Sequence, residues 1–297
     1  MNDASHVPAA LQTLVIIGLA PLLQGAMRAA RARMQGRPGP APWQPYRDLI
    51  RYWHQEALQP ASASWLVLAA PGVAVGVSVA MAAAVPALEA GLLDHLVDVI
   101  SLMFLLGLGR FILSASALDS GSGFASMAAS REAAFSSLVE PVLLVSLVAA
   151  IGCCDNGVAL SGLVSSPFGA AKVLAFGAFF VVILAETARI PIDNQETHYE
   201  LTMIHEGLAL NYGGWQLAML QFSAWVRQAA FFVLASAMLP GGPVARVLWI
   251  IALAAVVTLI ETAQAKLRLY RVPDLLVSGS VLALASIALQ TIGWIAP

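Results

Sequence analysis

The sequence predicts an all-α polytopic membrane protein, with about eight transmembrane helices plus an amphipathic helix on the cytoplasmic surface. Three observations carry this. The 297-residue chain is 59% hydrophobic and 11% charged, with a mean hydropathy of +0.80. Its apolar residues gather in runs of about twenty, the length that crosses a hydrocarbon core of about 30 Å. Basic residues fall in alternate loops between those runs, which is the charge bias of a multi-pass chain. Residues 1–297 therefore read as a single membrane domain whose units are helices, because lipid offers spanning backbone no hydrogen-bond partners.

The spans fall at roughly 10–27, 65–87, 98–118, 135–153, 168–187, 215–238, 244–263 and 273–295. The first reads as an uncleaved helix. Met1–Ala10 holds Asp3 and His6 but no basic residue, whereas Arg28, Arg31 and Arg33 follow the apolar run, the reverse of a signal peptide. The fourth is short, with Glu140–Pro141 in its first turn, where a missing N–H costs nothing. Arg28, Arg31, Arg33, Arg37, Arg47 and Arg51 lie in the 28–64 loop. Arg131, Arg189 and the 264–272 loop with Lys266, Arg268 and Arg271 mark the same face. The opposite loops carry Glu89, Asp94 and Asp155 instead. The basic face is cytoplasmic and both termini lie outside.

Within the 28–64 loop, Gly36-Arg37-Pro38-Gly39-Pro40-Ala41-Pro42 excludes helix. Helical spacing resumes at Trp43–Ala57, where Tyr46, Leu49, Ile50 and Trp53 alternate with Arg47, Asp48, Arg51 and Gln55. This reads as a helix lying on the membrane surface, or as a positive-inside anchor alone.

The 185–214 segment concentrates the chemistry. Ala185–Gly214 holds Glu186, Asp193, Glu196, Glu200 and Glu206, five of the seventeen carboxylates, with His198 and His205. It lies between apolar runs, so it reads as a polar loop and short helix pressed against the membrane face. Carboxylates in that position point to proton or ion handling. A helix over 195–210 would put Glu196 and Glu200 one turn apart, where both cannot ionise freely at neutral pH. Ion pairing with Arg189, Arg131 or a partner protein is the alternative for this pair.

Charges within the spans include Arg110, Lys172, Arg227 and Glu261, with Asp98 and Arg246 near span ends. Such groups face a bundle interior or a hydrated path. Arg227, near mid-span, requires an acidic partner, whereas Lys172 can snorkel outward and Glu261 can reach water. Arg131–Glu132 is either functional or a solvated pair worth little, and Glu140 suits a relay. The adjacent Cys153 and Cys154 read as structural, since two thiols cannot hold an iron–sulfur cluster or close a zinc site. His205-Glu206 lacks the second histidine of a zinc protease, because position 209 is Ala. No phosphate loop, dinucleotide turn or nucleophile elbow is present, and nothing suggests nucleic-acid binding. No cofactor, metal or catalytic residue is expected in this chain.

The acidic segment resembles the corresponding loop of the subunit-1 (H-subunit) family of respiratory complex I. It is most similar to the nickel–iron (NiFe) hydrogenase branch, that of formate hydrogenlyase and hydrogenase-4. The matching residues are Glu186, Arg189, Pro191 and Asp193, then Thr197 to Glu206 (THYELTMIHE), then Tyr212 and Gly214. The first loop is similar too, through Gln35-Gly36-Arg37, Gly39-Pro40, and Gln44-Pro45-Tyr46 with Asp48-Leu49. It departs at Pro38, where many relatives carry a basic residue. Ser130-Arg131-Glu132 and Glu140-Pro141 also match.

The resemblance implies a membrane anchor and proton-path or coupling subunit, itself non-catalytic, of an energy-converting oxidoreductase complex. Its implied partners are soluble NiFe-hydrogenase-like and iron–sulfur subunits, antiporter-like membrane subunits and the bilayer. Arg37, Gln44, Tyr46 and Asp48 would dock the soluble arm. Proton path and coupling would fall to Glu186, Arg189, Asp193, Glu196, His198, Glu200, His205, Glu206, Glu140, Arg131, Arg227 and Glu261. Two other readings stay open: a quinone-site subunit of a complex I-type NADH dehydrogenase, and a passive anchor or stand-alone transporter.

Overall fold

The computed structural model describes residues 3–57, 63–87, 91–94, 96–152, 157–190, 192–193, 205–265, 267 and 271–295. Its helices in order are α1 (Asp3–Met34), α2 (Gln44–Trp53), α3 (Trp65–Ala84), α4 (Val99–Asp119), α5 (Gly123–Ile151) and α6 (Gly162–Ser165). They continue with α7 (Ala170–Glu186), α8 (His205–Ala209), α9 (Gly214–Ala237), α10 (Pro243–Ala263) and α11 (Val272–Ile295). Among the described residues, seven helices are long and apolar enough to cross a membrane: α1, α3, α4, α5, α9, α10 and α11. The fifth expected span is α7, a helix of 17 residues, the short end of the spanning range.

Packing follows the apolar stripes. The α7 helix lies against α11 and α5, α3 against α9 and α4, and α1 against α9 and α10. Phe179, Phe231, Phe232, Leu143 and Leu147 are fully buried at the centre. Large apolar side chains such as Phe104, Val244, Ile251 and Leu284 point outward, as lipid-facing surfaces do. Helix starts are capped locally: Ser64 Oγ accepts from Leu66 N–H at 3.2 Å, and Asp98 Oδ1 accepts from Ser101 N–H at 2.7 Å. That bond to Ser101 holds the Asp98 carboxyl below its ordinary range.

Three boundaries differ from the sequence reading. The first helix does not stop at residue 27 but continues through Arg28 and Arg31 to Met34. The run Ala26–Met34 is made of strong helix formers, and the stop comes at Gly36. There the left-handed φ of +71° lets Gly36 N–H reach Arg33 O and Arg37 N–H reach Ala32 O, a Schellman closure. The proline-rich link then folds back so closely that a Cβ on Gly25 would sit 1.8 Å from Pro42 O. Only glycine permits that approach.

The fourth span, α5, is the second difference. It starts at Gly123, so most of the expected 119–134 loop is helical and Glu140–Pro141 lies inside the helix. Alanine and serine between residues 124 and 137 carry helix readily, and neighbouring helices support a proline in a spanning helix.

The third difference matters most. The acidic segment does not begin on the membrane face. Glu186, Thr187, Ala188, Arg189, Ile192 and Asp193 are all buried, and Glu186 meets Arg110 near the middle of α4. The α7 helix is short because it ends inside the bundle. Irregular backbone at that depth is sustainable only where protein surrounds it.

Candidate functional site

The chain leaves α7 through a turn that aims side chains inward. Arg189 N–H bonds Leu184 O at 3.0 Å and Ala188 N–H bonds Ala185 O at 3.2 Å. Ala188 takes a φ of +50°, a left-handed conformation that costs a non-glycine residue about 1 kcal/mol. Glu186 and Arg189 leave this turn into different partners, and two charged clusters result.

In the first cluster, the Arg110 guanidinium bridges two carboxylates. Nη1 donates to Glu140 Oε1 at 3.1 Å, and Nη2 donates to Glu186 Oε1. Arg110 and Glu186 are buried, whereas the Glu140 side chain keeps 36% of its exposure. The bridge therefore joins α4, α5 and α7, with one carboxylate facing outward. Beside it, His205 of α8 stands between Glu132 of α5 and Asp193 of the loop. Nε2 is 3.7 Å from Glu132 Oε2, and Nδ1 is 3.8 Å from Asp193 Oδ2. The His205 ring also meets the Phe135 ring edge-on at 6.4 Å. Burial works against the His205 cation. The Glu132 and Asp193 carboxylates outweigh it and hold the imidazolium pKa above its ordinary value.

The second cluster centres on Arg189. Its Nη1 donates to Glu261 Oε1 of α10 at 2.8 Å. Its Nη2 donates to Gln228 Oε1 of α9 at 2.7 Å and to Gln24 Oε1 of α1. Arg31 also approaches Glu261, at 3.5 Å. Glu261 thus does not reach water; it is buried between two arginines because α1 stays helical far enough to present Arg31.

Cavities flank the clusters. One lies between α3, α4, α8 and α9, and its walls include Ser78, His205, Glu206, Gln221 and Arg227. A second is lined by Arg28, Glu186, Thr187, Glu206 and Arg227. Arg227 makes no ion pair within 4 Å among the described residues, yet it faces Glu186 and Glu206 across the second cavity. The acidic neighbours expected of Arg227 are therefore present, at the distance of a chamber rather than of a contact.

Several expected site residues fall elsewhere. Arg131 is half-buried, and its neighbour Glu132 turns into the site instead. Glu196, His198 and Glu200 lie outside the described residues, as do Pro191 and the pairing of His198 with His205. Of the docking residues, Arg37 is exposed, Gln44 Nε2 donates to Asp48 Oδ1 at 3.0 Å, and Asp48 approaches Arg28 at 3.9 Å. The Tyr46 hydroxyl donates to Gly18 O and so ties α2 to α1. Lys172 does not snorkel: it is buried, and Nζ donates to Leu163 O, Ser166 O and Ser166 Oγ at 2.7–2.9 Å.

Sequence reasoning notes Arg110 as a charge inside a span and Glu132 beside Arg131 but places neither in the site, and it leaves out Gln24 and Gln228. Arg110 carried a usable signal. An arginine in mid-span needs an acid at its own depth, and Glu140 and Glu186 follow the two spans that could supply one. The glutamines carried a weaker signal, since an amide in an apolar run is costly without a partner.

Comparison with known proteins agrees with this architecture. A model of the family described as NADH dehydrogenase matches residues 8–294. The chain is 33% identical to formate hydrogenlyase subunit 4 of Escherichia coli (strain K12) over 225 residues, covering 73% of this chain and 72% of that one. It is 33% identical to hydrogenase-4 component C of the same organism over 234 residues, covering 75% and 72%. In three dimensions it is similar to a chain of the membrane-bound sulfane sulfur reductase, an archaeal respiratory membrane complex. The TM-score is 0.80 at 18% identity, over 95% of this chain and 99% of that one. The protein is a multi-pass membrane protein that belongs to the NADH dehydrogenase (complex I subunit 1-like) family.

Proposed function

We propose that this chain is the membrane anchor and proton-path subunit of a multi-subunit energy-converting NiFe-hydrogenase-type complex. The observation that carries the reading is the line of charge from Asp193 through His205 and Glu132 to the Arg110 bridge between Glu186 and Glu140. Maintaining so many buried charges is costly, and intramembrane ionisable groups of this kind mark proton or ion routes. The names of the two curated relatives support the hydrogenase setting. In this reading a redox event in a docked soluble arm shifts the charge balance at Asp193, His205 and Glu206. The Arg110 bridge passes that shift to antiporter-like neighbours. Arg37 and the exposed side of α2 are the docking surface.

The test is purification from native membranes through a tag on this chain. Hydrogenase-like and iron–sulfur subunits should copurify, and Glu140→Gln should leave them bound while lowering coupled turnover about tenfold, a barrier change of about 1.4 kcal/mol. A chain that purifies alone points to a stand-alone transporter. Quinone-dependent turnover of the purified complex favours the quinone-site reading instead. The observation on that side is an apolar groove between α1, α9 and α10.

The same reading sets the orientation in a cytoplasmic membrane, with Gln35 inside and Gly242 outside. In a cysteine-free background, Gly242→Cys should react with an impermeant reagent applied to cells and Gln35→Cys should be shielded. The opposite pattern reverses the topology.

A further inference from the structure

Three features around His205 have no structural explanation in the packing alone. The ring is flanked by two carboxylates from different elements, at 3.7 and 3.8 Å, close enough to pair with a protonated ring but beyond hydrogen-bond distance. Among the described residues, Glu132 Oε2 and His205 Nδ1 are buried without hydrogen-bond partners. The ring links α8 to α5, and the His205 backbone N–H donates to Asp193 Oδ2 at 3.4 Å. Apolar contact beside it comes from Leu208 against Ala117, Ala125, Ala128 and Ala129, and from the Phe135 ring.

We propose that His205 is a proton-operated latch, holding α8 and the Asp193 segment against α5 when protonated and releasing them when neutral. A cation between two carboxylates attracts both. A neutral ring at these distances donates to one at most, and it leaves the other carboxylate buried without compensation. The charged groups facing the ring are Glu132 from α5, Asp193 from the loop, Glu206 from α8 itself and Arg227 from α9. Arg110 of α4 lies behind Glu132. The two carboxylates favour the cation, and Arg227 opposes it. Since the folded-state pKa lies above the ordinary histidine value, the stabilisation is fully present below that value. It is lost as pH rises through the raised one. Alkalinity therefore opens the latch. Opening would widen the cavity that His205, Glu206 and Arg227 line. Only the latch's place in coupling rests on the proton-path reading.

The experiment uses the whole complex in inside-out vesicles, with Cys153 and Cys154 replaced by Ser. Leu208→Cys reports release, because Leu208 is buried under α4 and α5. The exposed Leu210→Cys corrects for thiol ionisation. Between about pH 6 and about pH 9, the corrected labelling rate at position 208 should rise several-fold. Adding His205→Gln should make it fast at every pH, and adding Glu132→Gln should shift the rise to lower pH. Hydrogen exchange of the α8 amides in the unmutated complex supplies the same reading without a cysteine. Protection that is independent of pH after intrinsic-rate correction, or an identical profile in His205→Gln, overturns the latch and leaves the proton path standing. A pH-dependent latch with normal coupled turnover in His205→Gln does the reverse: it keeps the latch and removes it from coupling.

Discussion

Replacing Arg189 with Met should be among the most damaging single changes in this chain, destabilising it by about 3–5 kcal/mol. The guanidinium is 3% exposed and joins α1, α9 and α10 through Gln24, Gln228 and Glu261. Methionine fills much of the volume but supplies no donor. Glu261 would keep only Arg31, at 3.5 Å, and two buried amide oxygens would lose their charged partner. A neutral pair should do better than a broken one. Arg189→Met with Glu261→Gln should recover a large part of the loss, because no buried charge is then left uncompensated. Arg31→Gln alone should cost under about 1 kcal/mol, since its side chain is partly exposed and Glu261 keeps Arg189. Thermal unfolding in detergent checks all three. An Arg189→Met protein that melts with the parent would show the cluster to be dispensable.

Charge periodicity made most of the helices legible. Apolar runs of spanning length and arginine-rich alternate loops located every long helix to within a few residues, except at α1 and α5. Those exceptions share a cause. Both stretches lie beyond an apolar run and so read as loop, Arg28–Arg33 through its positive charge and residues 119–134 as the link between two spans. Alanine-rich sequence is helical with or without such residues, so composition marks where a membrane ends but not where a helix ends. The acidic segment failed differently. Polar sequence between two apolar runs reads as lying at the membrane face, although Glu186, Arg189 and Asp193 are buried in the bundle. Nothing local announces that depth. The clues are long-range: an arginine at position 110 and glutamines at 24 and 228, all in apolar helices and all needing partners that another segment must bring.

The same reasoning explains why Glu186 and Arg189 could be singled out but not correctly paired. They are three residues apart, and that spacing alone assigns a partner to neither. The left-handed Ala188 separates them instead. Glu186 is directed to Arg110 and Arg189 to Glu261. A substitution that relaxes this turn would change both clusters together, which gives the two a structural connection although no ion pair joins them.

Arg110 should separate assembly from coupling. Arg110→Met leaves Glu140 and Glu186 facing each other with no cation between them, one buried and one partly exposed. The expected loss is again about 3–5 kcal/mol, because an uncompensated buried carboxylate remains, and the subunit should be recovered poorly with its partners. Adding Glu186→Gln removes that carboxylate's charge while keeping its shape. The double variant should regain stability and assembly, with a coupling energy between the two sites of up to about 3 kcal/mol in a double-mutant cycle. Coupled turnover should not return with it, because the bridge from α7 to Glu140 is gone. Glu140→Gln, by contrast, removes the partly exposed end of the bridge and keeps the buried Arg110–Glu186 pair, so the complex should assemble normally and couple poorly. If the double variant both assembles and couples like the parent, the Arg110 bridge is a structural brace and the proton route lies elsewhere. If Arg110→Met alone assembles and couples normally, neither role stands.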